Sequence, residues 1–274
     1  MRRAPARGTR RADPEYAGRA LHAEWTKART AGSTVWLLLA IIATTIAVGS
    51  AVATATRCPA AGCGQDPARV SLSGIDLGQA VVAILAVLAI SGEYSTGMIR
   101  ITLAAMPRRS AVLAAKAVLV AGLVLAAGAI AVGGSVLAGR ILLPGHGFTA
   151  ARGFPLESLA DGPTLRAAAG SVLYLALIAL LSLGIATLVR ESAAAIGVVL
   201  GLLYLSPIIL GVVTDPVWSH RLERYAPMSA GLTIQDTIGL RSLPISPWGG
   251  LGVLAAWAAA TLLAGGLLLR WRDA

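Results

Sequence analysis

Long apolar stretches recur along the chain, each about as long as a helix that crosses a bilayer. A hydrocarbon core about 30 Å thick takes roughly 20 apolar residues in a helix, and a helix satisfies its own backbone hydrogen bonds in lipid. Six stretches meet this requirement: residues 34–55, 72–91, 111–139, 165–189, 193–213 and 248–269. The pattern predicts an all-α integral membrane protein with six transmembrane helices. Residues 1–33 then form an N-terminal segment, and residues 34–274 form the transmembrane domain.

The composition agrees with a membrane protein. Hydrophobic residues make up 56% of the 274 residues and charged residues only 13%, whereas soluble domains carry about 25% charged residues. The two cysteines are too few for a disulfide scaffold. The net charge of +10 does not predict a nucleic-acid partner, because membrane proteins concentrate Lys and Arg in their cytoplasmic loops.

The basic residues are divided unevenly between the two sides of the predicted spans. With the N-terminus in the cytoplasm, 15 of the 23 Lys and Arg residues fall on the cytoplasmic side and 8 fall outside, where the loops are longer. This excess follows the positive-inside tendency of membrane proteins. The sequence therefore predicts a multi-pass protein of the cell membrane with both termini in the cytoplasm.

The N-terminal segment combines an Arg-rich stretch with an amphipathic one. Four apolar residues between positions 15 and 29 share one helical face: Ala17, Leu21, Trp25 and Ala28. Glu24 interrupts this face. The spacing predicts an amphipathic helix that lies along the inner membrane surface, with Trp25 at the level of the lipid headgroups. The alternative is an irregular basic tail that only sets the topology.

Both cysteines lie between the first two spans. Cys58 and Cys63 are separated by Pro, Ala and Gly residues that allow the chain to turn back. This loop faces the oxidising side under the predicted topology, so a structural disulfide between the two is expected. We expect no metal site, because none of the three histidines is near these cysteines in the sequence.

The segment between residues 214 and 247 is too long and too apolar for a bare connection. Pro227, Pro244 and Pro247 interrupt it, and Ser229 precedes a run of apolar residues as a possible N-cap. We predict two short helices that rest on or dip into the outer leaflet. An ordered loop without a role in transport is the alternative.

The chain lacks the residues that would power transport or catalysis. Lys27 and Lys116 are its only lysines and neither follows a glycine, so the chain has no Walker loop for ATP. No charged residue lies in the middle of a span, where an ion-coupled carrier normally keeps its ion site. A lipid-modifying enzyme would have to build its site from a few scattered outer residues: Asp76, Arg140, Glu157, Asp161 and Arg166. We therefore expect that the chain is not an enzyme. An ion-coupled carrier and a lipid-modifying enzyme remain the alternatives.

Small residues favour close helix packing. Gly197 and Gly201 form a GxxxG pattern in the fifth span, a spacing that lets two helices approach closely. The pattern fits packing within one subunit or the face of a dimer.

The connection between the second and third spans is the most informative stretch. It begins at Glu93, contains an apolar run too short to span a membrane, and ends at Pro107, Arg108 and Arg109. A short surface helix with an apolar ridge and basic edges would suit a partner protein. The alternative is an ordinary connecting loop.

Two groups of residues resemble one family of membrane proteins. The first is in the connection: Glu93, Tyr94, Gly97, Ile99 and Arg100, followed by Pro107, Arg108, Arg109 and Lys116. The second is in the N-terminal segment: Ala23, Glu24, Trp25, Thr26, Lys27, Ala28 and Arg29. Both are similar to the permease subunits of ABC-2 type ATP-binding-cassette exporters, and the second is similar to actinobacterial members.

The resemblance implies a function and a set of partners. Such a permease pairs with a second permease copy, commonly as a homodimer, and is driven by a separate cytoplasmic ATPase that holds ATP and Mg. The chain itself would bind no cofactor and would move an amphiphilic or hydrophobic compound across the membrane. Residues of the connecting helix would be Leu21, Glu24, Trp25 and Lys27. The coupling helix seated on the ATPase would include Glu93 to Arg100 and Pro107 to Arg109.

Overall fold

The computed structural model describes residues 14–58, 64–95, 97, 109–149, 160–212 and 215–272. Regular structure within these ranges is entirely helical, as the sequence predicts. Ten α-helices are present there: α1 (Pro14–Thr30), α2 (Gly32–Ala55), α3 (Pro67–Leu72), α4 (Ile75–Ser95), α5 (Arg109–Leu142), α6 (Gly162–Val189), α7 (Ser192–Leu210), α8 (Pro216–Tyr225), α9 (Pro227–Leu232) and α10 (Pro247–Arg272). Short 3-10 turns follow α5 at Leu143–His146 and α9 at Thr233–Gln235.

Six of these helices are long and apolar enough to cross a membrane: α2, α4, α5, α6, α7 and α10. They coincide with the six predicted spans to within a few residues at each end. The prediction of an all-helical, multi-pass membrane protein is therefore confirmed.

Helix α6 is the axis of the bundle. Two thirds (67%) of the most apolar 18-residue stretch of α6 is buried inside the protein, whereas the corresponding share is 17% for α2 and 22% for α7 and α10. It packs against α4, α5, α7 and α10. The approach to α10 is close at Gly184, where an added Cβ would lie 2.7 Å from the backbone nitrogen of Leu262. The less buried helices present their apolar outer faces to lipid.

A two-residue turn joins α6 to α7. Arg190 ends α6 in the left-handed region, with φ 64°. Glu191 then caps α7, since its carboxylate accepts hydrogen bonds from the backbone N–H groups of Ala193 at 2.9 Å and Ala194 at 2.5 Å. These backbone hydrogen bonds hold the pKa of Glu191 below its usual value. One C-cap and one N-cap thus form a tight hairpin between the fourth and fifth spans.

Helix α1 packs against α2 and α5 with the face that carries Glu24. Glu24 is only 2% exposed, whereas Trp25 is 46% exposed and Leu21 38%. The predicted helix is therefore present, but Glu24 does not interrupt a buried apolar face. It lies against the protein, and the apolar residues Leu21 and Trp25 face outward.

Two short helices precede α10, as predicted, and a proline begins each of them. Asp215 caps α8 by accepting the N–H of Val217 at 2.8 Å. Helix α9 begins at Pro227, whose fixed φ suits the first helical position. The prediction that Ser229 is an N-cap was wrong, because Ser229 lies inside α9 and Ala226 occupies the cap position.

Candidate functional site

Three helices bring four charged side chains together at one end of the bundle. Glu24 and Lys27 lie in the C-terminal half of α1, Glu93 near the end of α4, and Lys116 in the second turn of α5. The spacing of three residues places Glu24 and Lys27 on the same face of α1. We name these four residues the charge cluster, the end of the bundle that holds them the α1 end, and the opposite end the distal end.

The charge cluster is a closed ring of four ion pairs. Lys116 Nζ donates to Glu24 Oε2 at 2.5 Å and to Glu93 Oε1 at 3.0 Å. Lys27 Nζ donates to Glu24 Oε1 at 2.9 Å and to Glu93 Oε1 at 2.9 Å. Each lysine therefore contacts both glutamates, and each pair joins side chains that neutralise one another.

The cluster lies inside the protein. Glu24 is 2% exposed and Lys116 4%, while the Lys27 side chain is one third exposed. Removing a charge from water costs several kcal/mol, and pairing offsets this cost only when the geometry is good. The formal charges of two glutamates and two lysines cancel. Loss of any one member would leave an uncompensated charge between helices.

The pKa values of the two α1 residues report the pairing. Burial opposes ionisation of Glu24, but the charges and hydrogen bonds of Lys116 and Lys27 outweigh it and hold the pKa of Glu24 below its usual value. Burial likewise opposes protonation of Lys27, yet its hydrogen bonds to Glu24 and Glu93 raise the pKa of Lys27 above its usual value. Both residues are therefore charged at neutral pH.

The turn between α6 and α7 rests on the same end of α4. The Arg190 guanidinium lies 5.4 Å from the centre of the Tyr94 ring, within the range of a cation–π interaction. Ser192 Oγ donates to Ser91 Oγ at 2.8 Å. The last turn of α4 is thus held both by the charge cluster and by the α6–α7 turn.

The described part of the chain holds only some of the predicted coupling residues. Glu93 and Tyr94 lie in the last turn of α4, and Gly97 follows with φ +70°, a conformation that favours glycine. Arg109 is the first residue of α5. The remaining coupling residues lie outside the described residues: Ile99, Arg100, Pro107 and Arg108.

The distal end has a polar cluster of its own, which the sequence did not reveal. Asp66 caps α3 by accepting the N–H of Ala68 at 3.1 Å. The same carboxylate accepts hydrogen bonds from the Thr237 N–H, the Thr237 hydroxyl at 2.7 Å and the Ile238 N–H at 3.0 Å. Asp66 therefore fixes the loop before α10 onto the start of the second span. An Asp before a Pro was the only sequence signal for the cap.

Asp236 completes this distal cluster. Arg69 Nη1 donates to Asp236 Oδ1 at 2.6 Å, and Arg166 Nη2 donates to the Asp236 carbonyl at 2.5 Å. Asp236 is buried, while the Arg69 side chain is more than half exposed. The contacts join α3, α6 and the residues after α9.

An uncharged polar group lies deeper, between α4, α6 and α9. Gln79 is completely buried; its Oε1 accepts a hydrogen bond from the Tyr174 hydroxyl, and its Nε2 donates to Met228 Sδ at 3.2 Å. Tyr204 donates its hydroxyl to the Asp76 carbonyl one turn earlier in α4. Interhelical hydrogen bonds of this kind fix helices in a membrane, so α9 is tied to the core by a side chain of α4.

The predicted disulfide is tested only at one of its two cysteines. Cys58 is disulfide-bonded, and Cys63 lies outside the described residues, so the pairing of the two stays a prediction.

Gly197 and Gly201 lie on an exposed face of α7, with no atom within 4 Å of an added Cβ. No other helix among the described residues approaches either glycine this closely, and the dimer face stays a prediction.

No protein-family model and no curated protein matches this chain. The resemblance noted above therefore rests on the motif residues. Of these, Glu24, Lys27, Glu93 and Lys116 meet in space although they are far apart in the sequence. The sequence singled out three of them as functional residues but not their contact. The scarcity of lysine, two residues in the whole chain, was the only available signal.

Proposed function

We propose that this chain is the permease subunit of an ATP-driven exporter of the ABC-2 type, with the α1 end in the cytoplasm. A separate ATPase subunit would bind ATP and Mg and drive it. The observation that carries the proposal is the charge cluster, which joins the amphipathic helix α1 to the two spans on either side of the coupling segment.

The cluster supplies a mechanical path from the coupling segment into the bundle. Residues 96–108 connect α4 to α5, so a force on this segment would act on the end of α4 and on the start of α5. Glu93 and Lys116 sit at these two ends and are bonded at 3.0 Å. Moving α1 away would break the Lys116–Glu24 and Lys27–Glu93 ion pairs, two of the four in the cluster, which is costly. The three helices are therefore expected to move together.

We propose that two copies of the chain form the substrate path. A path between apolar helices suits an amphiphilic or hydrophobic compound. The exposed face with Gly197 and Gly201 is the candidate contact between the copies, because it has room for close helix approach. Because the sequence has no Walker loop, an ATP-driven mechanism would take its ATPase from a partner subunit.

A crosslinking experiment tests the contact with the ATPase. The chain is co-expressed with a candidate Walker-loop ATPase from the same organism and carries a photoreactive benzoylphenylalanine in place of Arg100. We expect irradiation to attach the ATPase at position 100 and not at position 241, where Arg241 is exposed at the distal end. Absence of the ATPase from the crosslinked product, or equal crosslinking at both positions, would contradict the proposed coupling segment.

Transport separates the proposal from its rivals. Movement of a hydrophobic dye out of cells carrying both subunits should stop when ATP is depleted and continue when ion gradients are collapsed. An ion-coupled carrier would show the reverse dependence. A lipid-modifying enzyme would alter lipids in vesicles that contain this chain alone.

A further inference from the structure

A cavity of about 370 Å³ opens beside the charge cluster, between α1, α2, α4 and α5. Three hydroxyl residues at the α1–α2 junction line it, and five leucines form its apolar wall: Leu37, Leu85, Leu88, Leu119 and Leu123. Glu93 lies at its polar end, beside Lys27 and Lys116. The volume falls in the range of roughly 300–1,000 Å³ that is typical of small-molecule sites. The cavity thus has an apolar slot and one charged end, the shape and polarity of a site for one amphiphile.

One atom at the polar end has no partner among the described residues. Glu93 Oε1 accepts hydrogen bonds from both Lys27 and Lys116, but Glu93 Oε2 is buried and accepts none from the part of the chain that the structure describes. The Glu93 side chain is only 9% exposed, so water outside the protein does not satisfy this oxygen. A buried acceptor without a donor costs about 1–3 kcal/mol, and more when the group is charged. A donor that reaches this oxygen from the cavity, which Glu93 lines, would recover this loss.

We propose that the cavity binds one amphiphile whose head group donates a hydrogen bond to Glu93 Oε2 and whose hydrocarbon tail lies along the leucines. The head is an amine or a hydroxyl, because only an N–H or O–H group can meet the carboxylate oxygen. An anionic head would meet the carboxylate with like charge, and a quaternary ammonium would bring no donor. The donor can belong to a lipid of the bilayer or to a free amphiphile. This inference does not depend on the chain being a transporter.

A competition experiment on the full chain tests the chemistry of the head group. The chain is placed in nanodiscs of phosphatidylcholine, whose head has no N–H donor, and labelled with a dodecylamine that carries a photoreactive diazirine. We expect saturable labelling of the cavity segments of α2, α4 and α5. Dodecylamine and dodecanol should compete at concentrations at least tenfold lower than dodecyltrimethylammonium or laurate. Equal competition by all four compounds, or no saturable labelling, would overturn the proposal.

The same probe distinguishes the two sources of the ligand. Replacing part of the phosphatidylcholine by phosphatidylethanolamine adds a lipid with an ammonium donor. If labelling falls at least severalfold, the site takes a bilayer lipid. If it is unchanged while free dodecylamine still competes, the site takes a free amphiphile. Both results support a donor-headed amphiphile and differ only in its source.

A pair of alanine-to-tryptophan variants tests the location. Ala89 lines the cavity, whereas Ala121 lines a separate apolar groove between α5, α6 and α10. We expect Ala89→Trp to lower saturable labelling at least tenfold and Ala121→Trp to leave it unchanged. Unchanged labelling in a folded Ala89→Trp protein would overturn the assignment. If Ala89→Trp does not fold, the competition series on the unsubstituted chain decides the question.

Discussion

The two ends of the bundle are held by different kinds of polar contact. At the α1 end, the charge cluster joins side chains of three helices to one another. At the distal end, polar side chains bond mainly to backbone: Asp66 accepts three backbone N–H groups, and Arg166 donates to the backbone carbonyl of Asp236. The contacts at the α1 end therefore join helices to one another, whereas the Asp66 contacts at the distal end fix a loop.

This difference indicates which end is suited to transmit force. Backbone hydrogen bonds to Asp66 fix the conformation of the loop before α10, and a fixed loop makes the distal end rigid. Charge pairs between Glu24, Glu93 and Lys116 fix the positions of whole helices relative to one another. A displacement of one of these helices is therefore expected to move the other two, because separating any one of them breaks two of the four ion pairs.

The largest expected effect is that of Lys116→Met. The substitution leaves Glu24 and Glu93 buried with only Lys27 between them, and breaking a buried ion pair in this way typically costs about 3–5 kcal/mol. We expect a loss of about this size in the free energy of unfolding, measured by denaturant titration in detergent micelles. Ala114→Met, at an exposed position of the same helix, is the control and should change little. A loss below about 1 kcal/mol for Lys116→Met would contradict the importance given to the charge cluster.

Asp66→Ala is expected to weaken the distal end by about 2 kcal/mol. It removes an N-cap, which is typically worth about 1 kcal/mol, together with the bonds to Thr237 and Ile238. The same unfolding measurement checks it. Asp161 occupies the N-cap position of α6 without a side-chain hydrogen bond to it, so Asp161→Ala should have almost no effect. Equal losses for the two alanine variants would mean that the Asp66 bonds contribute nothing.

Lys27→Met should be milder than Lys116→Met. The two lysines bond to the same pair of glutamates, but the Lys27 side chain is one third exposed. Solvent screens its interactions, so we expect a loss of about 1 kcal/mol. Comparing the two variants under identical conditions tests whether burial sets the contribution of each lysine. A larger loss for Lys27→Met would show that it does not.

The pH dependence of α1 docking should be the smallest effect. The folded pKa of Glu24 is lowered from 4.5, so Glu24 contributes stability above about pH 4.5 that is lost as the pH falls through the folded pKa. The folded pKa of Lys27 is raised from 10.5, so its contribution is present below about pH 10.5 and lost as the pH rises through the folded pKa. We expect a nitroxide label at His22, an exposed position on α1, to be immobile between these limits and more mobile in acid. Glu24→Gln should abolish the acid transition, and an unchanged transition in that variant would assign it to another group.

Local pattern was enough to predict the elements but not their contacts. The six spans, α1 and the two short helices before α10 follow from apolar length, periodicity and proline, which are local signals. In the sequence, Glu24 only interrupts the apolar face of α1. Its partner Lys116 is 92 residues away, so the local pattern does not reveal the pair. Asp66 and Thr237 are 171 residues apart, and no local pattern could pair them.

The comparison of the two ends is tested most directly by distance measurements between spin labels. One pair joins His22 on α1 to Leu267 near the end of α10, and the other joins Ile141 to Arg241 at the distal end; all four positions are exposed. In a complex with the proposed ATPase, adding ATP should shift the distance distribution of the first pair by several ångströms and leave the second almost unchanged. An unmoved first pair in a complex that hydrolyses ATP would contradict the account.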